Sequence, residues 1–170
     1  MPLPKQSDLT KEEQKEALES TAIRYLSYRP RFKSEVINHL GKKAKEISIG
    51  DPFTLINQIV ISLENSGFIN DPKLLESYIH SRLWEKVKGP YWIKARLLHL
   101  GLVKSEIENA LRQFAGRSDQ LEVLAKYLNR KSYVGFVDLK TKAKIFRRLI
   151  GRGFSADLVA EAFDQSRSGE

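Results

Sequence analysis

The fold is decided by a stretch that the chain carries twice, first as Ile93–Leu111, IKARLLHLGLVKSEIENAL, and again 52 residues later as Ile145–Phe163, IFRRLIGRGFSADLVAEAF. Its apolar residues recur three and four positions apart, as they do on the inward face of an α-helix. Each copy contains a glycine near its middle, Gly101 in the first and Gly153 in the second. Glycine adopts at little cost the left-handed conformation that ends many helices, so a helix is expected to end at each of them. Each copy is therefore predicted to be a pair of helices joined by a tight turn.

Helical signals continue on both sides of this pair. The first helix is predicted to begin at Thr10, which has capping-box spacing with Glu13. Further starts are marked by a capping side chain or by a proline in the first turn, at Pro30, Asp51-Pro52, Asp71-Pro72, Gly89-Pro90, Asp138 and Ser155. Residues 41–50 are predicted to form a loop, and the β-like run at Tyr133–Val137 is too short to compete with helix.

The nine predicted helices fall into three sets of three. Each set is too small to bury its apolar face alone, so neighbouring sets are expected to stack. We therefore predict an all-α fold of three tandem three-helix repeats forming an elongated, curved array. The predicted ranges are a flexible N-terminal tail over residues 1–9 and repeats over residues 10–68, 69–116 and 117–166.

Composition limits the classes of protein to which the chain can belong. Hydrophobic residues make up 41% of the sequence, which is ordinary for a globular protein. Cysteine is absent, so disulfides and thiolate metal sites are excluded and a reducing compartment is favoured. No apolar run approaches the roughly 20 residues of a membrane span, and the N-terminus lacks the apolar stretch of a signal peptide. We expect a monomeric, cytoplasmic protein that does not bind membranes.

The sequence offers no pattern of catalytic or metal-binding residues. His39, His80 and His99 are scattered, and none has a histidine partner three or four positions away. The run Gly151–Ala156 matches the spacing of a dinucleotide-binding fingerprint, but a predicted helix precedes it where that fingerprint needs a strand. We predict that the chain is not an enzyme and needs neither metal nor cofactor.

Positive charge is concentrated on the middle helix of each set. Arg24–Lys45 holds seven basic residues and one acidic, Arg82–Arg96 five and one, and Asp138–Arg152 six and one. These segments together carry +15, whereas the whole chain carries +8, so the remainder is net −7. Charge that follows the architecture in this way favours a basic stripe facing a polyanion, with a solvated helix face as the alternative.

The candidate contact residues are cations of these three segments: Arg29, Arg31, Arg82, Lys88, Lys94, Arg96, Lys140, Lys144, Arg147 and Arg148. On the eighth helix they recur at helical spacing and are expected to form one solvent-facing stripe. Aromatic residues, among them Tyr91 and Trp92, lie between the charges. They are able to stack on bases or to anchor a protein interface, although aromatics at these spacings more often belong to a core.

Four groups of residues follow one another along residues 17–165: Ala22-Ile-Arg-Tyr-Leu-Ser-Tyr-Arg-Pro-Arg31 with Glu35-Val36; Gly67-Phe-Ile-Asn-Asp71 with Tyr78-Ile79 and Arg82; Lys88-Gly-Pro90 with Ile93, Leu97 and Gly101; and Arg148-Leu-Ile-Gly-Arg-Gly-Phe-Ser155. In order and spacing they resemble the RecX family of bacterial recombination regulators. The resemblance implies three tandem three-helix repeats and binding to the RecA–DNA filament. It also implies inhibition of the ATPase, strand exchange and co-protease activities of RecA, without a catalytic site or cofactor.

The chain departs from the family pattern in two places. Members usually carry basic residues directly after Lys-Gly-Pro, where this chain has Tyr91 and Trp92, and the segment of residues 41–50 is longer than expected. Two other functions stay open, a stand-alone DNA-binding protein and a helical adaptor for an acidic protein partner. The sequence also leaves open whether DNA is contacted directly and whether RecA is inhibited or assisted.

Overall fold

A computed structural model describes residues 9–130 and 138–167 of the chain. These residues form nine α-helices and no strand, as predicted: α1 (Lys11–Tyr28), α2 (Lys33–Glu46), α3 (Pro52–Asn65), α4 (Asp71–His80), α5 (Pro90–His99), α6 (Lys104–Phe114), α7 (Arg117–Arg130), α8 (Leu139–Gly151) and α9 (Ala156–Arg167). The first eight residues of the predicted N-terminal tail and the run Tyr133–Val137 lie outside the described residues.

The chain divides into two compact units, Met1–Leu74 and Leu75–Glu170. In the first unit α1, α2 and α3 pack on one another, and their core includes Leu18, Val36, Leu40, Ile59 and Val60. In the second unit α7 packs on α9, α5 on α6 and α8 on α9, and the fully buried side chains include Ile79, Leu83, Ile93, Leu97, Ile107, Leu124, Leu128, Leu149 and Val159. The division into three repeats stays a prediction.

Three of the predicted helix starts are confirmed at the level of single hydrogen bonds. The Thr10 hydroxyl accepts the N–H of Glu13 at 3.3 Å, and the Glu13 carboxylate accepts the N–H of Thr10 at 2.8 Å, which completes the capping box. Asp51 and Asp138 each cap a helix by accepting the N–H three residues ahead, at 3.3 and 3.0 Å. Gly101 and Gly153 end their helices with φ of +88° and +92°.

The start of α4 differs from the prediction. Asn70, and not Asp71, caps the helix, because its side-chain oxygen accepts the N–H of Lys73 at 3.0 Å. The Asp71 carboxylate instead accepts the N–H of Lys33 at 2.8 Å, at the beginning of α2. A helix N-terminus attracts a carboxylate because its first N–H groups have no partner within the helix.

The prediction of a loop over residues 41–50 is wrong for residues 41–46, since α2 continues to Glu46, and only residues 47–50 lie outside a helix. Val36, Leu40 and Ala44 are buried at intervals of four residues, so burial of Ala44 in the core extends the helix through Gly41. Gly41 is therefore an interior helix position, where glycine costs about 1 kcal/mol relative to alanine and the surrounding packing offsets this cost. The connection to α3 is short and ends at Asp51.

At its C-terminal end α4 continues directly into a wider turn over Ser81–Glu85. Here the N–H of Lys86 donates to the carbonyl oxygen of Ser81, five residues back, at 3.2 Å. This turn contacts α7 and carries Arg82, one of the candidate residues, at its second position. Such five-residue turns within helices occur mostly as single turns, frequently at functional sites.

Candidate functional site

In the first unit, the two candidate arginines bind a carboxylate of their own fold. Arg29 Nη2 lies 2.8 Å and Arg31 Nη1 3.4 Å from Oε1 of Glu35. The other oxygen of Glu35 accepts the N–H of Phe32 at 3.2 Å. The Arg31 guanidinium also lies over the Tyr25 ring, 4.2 Å from its centroid, and its side chain is only 17% exposed. Arg31 therefore ties the end of α1 to the start of α2 and offers a partner little surface.

His39 stacks on the same Tyr25 ring, with ring centroids 4.0 Å apart. Burial lowers the pKa of His39, and the nearby cations Lys42 and Arg31 lower it further because they disfavour a second positive charge. The imidazole is consequently neutral at neutral pH. It contributes packing, and no charge, to the basic segment of the first unit.

In the second unit, the Lys88-Gly89-Pro90 turn packs directly on the turn that joins α8 to α9. The N–H of Gly89 donates to the carbonyl of Arg152 at 2.8 Å, and the N–H of Tyr91 donates to the carbonyl of Gly153 at 3.1 Å. A Cβ placed on Gly89 would overlap that Gly153 carbonyl, and one placed on Gly153 would overlap the backbone of Trp92. Both glycine motifs therefore serve the contact between these turns.

Arg152, absent from the predicted contact residues, reinforces this packing. Its Nη1 donates to the carbonyls of Lys86 and Val87 at 2.8 and 3.2 Å, and its guanidinium lies 5.9 Å from the centroid of the Tyr127 ring. Val87 has φ of +51°, a left-handed conformation that is rare for a β-branched residue. The Arg152 side chain therefore helps to hold a strained turn, and sequence alone gave no signal for this role.

Two further candidates of the second unit stack on aromatic rings. The Arg82 guanidinium lies 4.8 Å from the centroid of the Tyr78 ring, and the Lys88 amine lies 4.6 Å from that of Trp92. Trp92 is half-buried, whereas the neighbouring Tyr91 is 68% exposed. Cations above aromatic faces are attracted by the ring quadrupole, so these side chains are oriented before any partner arrives.

The two candidates on α5 behave differently from each other. Lys94 forms an ion pair with Glu108 of α6, and this carboxylate has a lowered pKa because the Lys94 hydrogen bond favours its charged form. Arg96 lies on the exposed side of the same helix. Of the pair, Arg96 therefore presents its charge to solvent, while the charge of Lys94 is largely compensated within the second unit.

Helix α8 brings four candidates together on one side. Lys140, Lys144, Arg147 and Arg148 are all exposed and lie within about one third of the helix circumference, a set called here the α8 basic face. The opposite side buries Ile145 and Leu149 in the core. Within the described part of the chain, Lys140, Lys144 and Arg147 form no ion pair with a carboxylate. Among the described residues, these three side chains are thus the largest group of candidate cations on a single element that have no carboxylate partner.

The described residues contain no group of three histidine or acidic side chains able to hold a metal ion. Over the same ranges, no helix is long and apolar enough to cross a membrane.

Comparison with known proteins connects this architecture to a family. No family model matches the chain. The chain is 30% identical over 144 residues to regulatory protein RecX of Halalkalibacterium halodurans, and the aligned region covers 84% of this chain and 52% of that protein. The chain is also 32% identical over 145 residues to regulatory protein RecX of Streptococcus thermophilus, and this aligned region covers 85% of this chain and 53% of that protein. A crystal structure of RecX from Lactobacillus salivarius matches with a TM-score of 0.71 at 26% identity, over 91% of this chain and 97% of that one.

The chain belongs to the RecX family. A second crystal structure, of a regulatory protein RecX, matches with a TM-score of 0.66 and covers 73% of that chain. The chain spans about half the length of the curated RecX relatives it matches. The resemblance predicted from the sequence is confirmed, and two of the motifs that carried it, Lys88-Gly-Pro90 and the Gly153 turn, pack against each other.

Proposed function

We propose that this RecX-family chain regulates the RecA recombinase, most directly as an inhibitor, by binding the RecA–DNA filament through its basic surface. The proposed mechanism is steric and electrostatic: the protein spans neighbouring subunits of the filament, and its exposed cations face the acidic groups of the partner. The names of the relatives, which call them regulatory proteins, support a role in regulation rather than in chemistry.

One observation carries the assignment of the surface. The α8 basic face presents Lys140, Lys144 and Arg147 to solvent without a carboxylate partner in the described part of the chain. Exposed, unpaired cations on one rigid helix attract phosphates and carboxylates over several ångströms, and they position a partner more than they select its sequence. Arg96 adds a further exposed charge, whereas Arg29, Arg31 and Lys94 are paired within the fold and are weaker candidates for contact.

The test is the single-stranded-DNA-dependent ATPase of RecA from the same organism, titrated with this protein. We expect the rate to fall at well below one molecule of the protein per RecA subunit. The triple variant Lys140→Glu, Lys144→Glu and Arg147→Glu removes the unpaired charges of the α8 basic face. It should raise the half-inhibiting concentration about tenfold or more, since like charges at an interface cost several kcal/mol.

A matched control carries the same change in net charge on exposed lysines elsewhere, Lys15→Glu, Lys73→Glu and Lys104→Glu. This control should inhibit nearly as well as the wild type if the position of the charge matters. If both variants lost inhibition to the same extent, net charge and not the position of the charges would explain the effect. If folded wild-type protein left the ATPase rate unchanged, the proposed inhibition would be rejected. Retained helicity, measured by circular dichroism, shows that each variant is folded.

A further inference from the structure

Beside the α8 basic face, the same helix exposes an apolar stripe. Leu139, Ala143, Phe146 and Ile150 stand at intervals of four, three and four residues, which places them on one line along the helix. Leu139 is 85% exposed and Ile150 38%, Ala143 is exposed and Phe146 half-buried. The buried side chains Ile145 and Leu149 occupy a different side, so this stripe is separate from the core. It extends over about 16 Å of helix, or three turns.

Cations border the stripe on both sides. Arg147 and Lys140 lie beside the stripe on the side of the basic face. Lys142 lies on the other side, with its amine 5.2 Å from the centroid of the Phe163 ring. Together with Leu139, Ala143 and Phe146, the side chains of Lys142 and Arg147 line an open depression in the surface. The depression thus has an apolar floor and a basic rim.

This combination distinguishes between two kinds of polyanion. A DNA backbone satisfies the rim through its phosphates, but it has no apolar groups spaced to cover an aliphatic and aromatic stripe three turns long. An amphipathic helix has such groups, because its own apolar residues recur three and four positions apart. Helices of this kind commonly bind by laying their apolar face on an apolar surface depression of another protein. Acidic residues beside its apolar face would meet the basic rim.

We propose that the α8 stripe and its basic rim dock an acidic amphipathic helix of a protein partner. This inference rests on the proposed function, since it assigns the α8 contact of the regulator to protein and not to DNA. In that setting the helix belongs to the protein component of the filament.

The experiment measures the affinity of the full chain for three fluorescent probes. The first is a peptide of about 14 residues with leucines at helical spacing and glutamates beside them; the second is the same composition in scrambled order; the third is a single-stranded oligonucleotide. We expect the ordered peptide to bind at least about tenfold more tightly than the scrambled one. Equal affinities would overturn the proposal, because charge alone would then explain binding.

Two sets of variants assign the contact to its parts. Leu139→Ser with Ile150→Ser should weaken the ordered peptide about tenfold, as expected for two lost apolar contacts, and leave oligonucleotide affinity unchanged. Leu98→Ser, at a residue 42% exposed on α5, is the matched control and should change neither. Unchanged peptide affinity in the Leu139/Ile150 variant, or an equal loss of oligonucleotide affinity, would contradict the proposal.

The RecA ATPase separates this inference from the function on which it rests. If wild-type protein inhibits the ATPase but the ordered peptide binds no better than the scrambled one, the docking inference fails and the regulatory function stands. If the ordered peptide binds selectively and the ATPase does not respond, the regulatory function fails while the stripe still recognises an acidic helix. Circular dichroism of each variant confirms that a lost signal does not come from unfolding.

Discussion

Gly89 lies where the backbones of two turns touch, and Gly41 lies in open space within α2. The same substitution should therefore have opposite effects at the two positions. Gly89→Ala forces a methyl group into the Gly153 carbonyl, so we expect a loss of about 3 kcal/mol or more in the free energy of unfolding. Gly41→Ala should stabilise by about 0.5–1 kcal/mol, because alanine loses less conformational freedom in a helix. Urea unfolding of both variants measures the difference.

A loss of stability in Gly41→Ala comparable to that in Gly89→Ala would contradict this explanation of the two glycines. The sequence supports only part of it. Gly101 and Gly153 were predicted as helix ends because each follows an apolar helical pattern, and a positive φ is a local property. The reason for Gly89 is a contact with a residue 64 positions away, and no local pattern indicates which turns will meet.

Helix α8 depends on its N-terminal cap. Hydrogen bonds from Thr141 hold the pKa of the Asp138 carboxyl below its usual range, because they favour the charged carboxylate. The cap therefore stabilises the fold at pH values above the unfolded pKa of about 3.9, and this contribution disappears as the pH falls through the lower pKa of the folded state. We expect Asp138→Ala to lower the melting temperature at about pH 7, and the gap from the wild type to narrow as the pH falls towards 3.

Thermal melts of both proteins across this pH range test the prediction, and a gap that stays constant or widens in acid would contradict it. Asp138→Asn is the matched control: it keeps an oxygen acceptor without a titrating charge, so most of its cap should survive at every pH.

The positions of the helices were easier to predict from the sequence than the residues on their exposed faces. Caps, prolines and glycines act within one turn of the chain, so six of the nine described helices (α1, α3, α4, α5, α8 and α9) begin within one residue of a marked start. The end of α2 was mispredicted because Gly41 suggests a break, whereas burial of Ala44 three residues later decides the matter. The basic stripe of α8 was found from its spacing. Its apolar stripe was not predicted, because Phe146 directly follows the buried residue Ile145 and the sequence does not separate an exposed apolar stripe from the core face.

The net charge of a basic segment does not show whether its cations are free to contact a partner, because some of them form ion pairs within the fold. The basic segments of both units look alike in sequence, yet Arg29 and Arg31 share Glu35 in the first unit, and Lys94 pairs with Glu108 in the second. Which cations stay unpaired depends on carboxylates brought close by the fold, and the sequence carries little information on that point. Because the α8 basic face keeps its charge exposed, we propose that it makes the main electrostatic contact.

The most direct measurement compares the affinity of the labelled full chain for RecA assembled on single-stranded DNA with its affinity for the same DNA alone, at two salt concentrations. We expect clearly tighter binding to the RecA-coated DNA, weakening as salt is raised because exposed charges are screened. The Lys140/Lys144/Arg147 reversal should lose most of that preference. Equal affinity for coated and bare DNA, or a preference that the reversal leaves intact, would contradict a filament regulator acting through the α8 basic face.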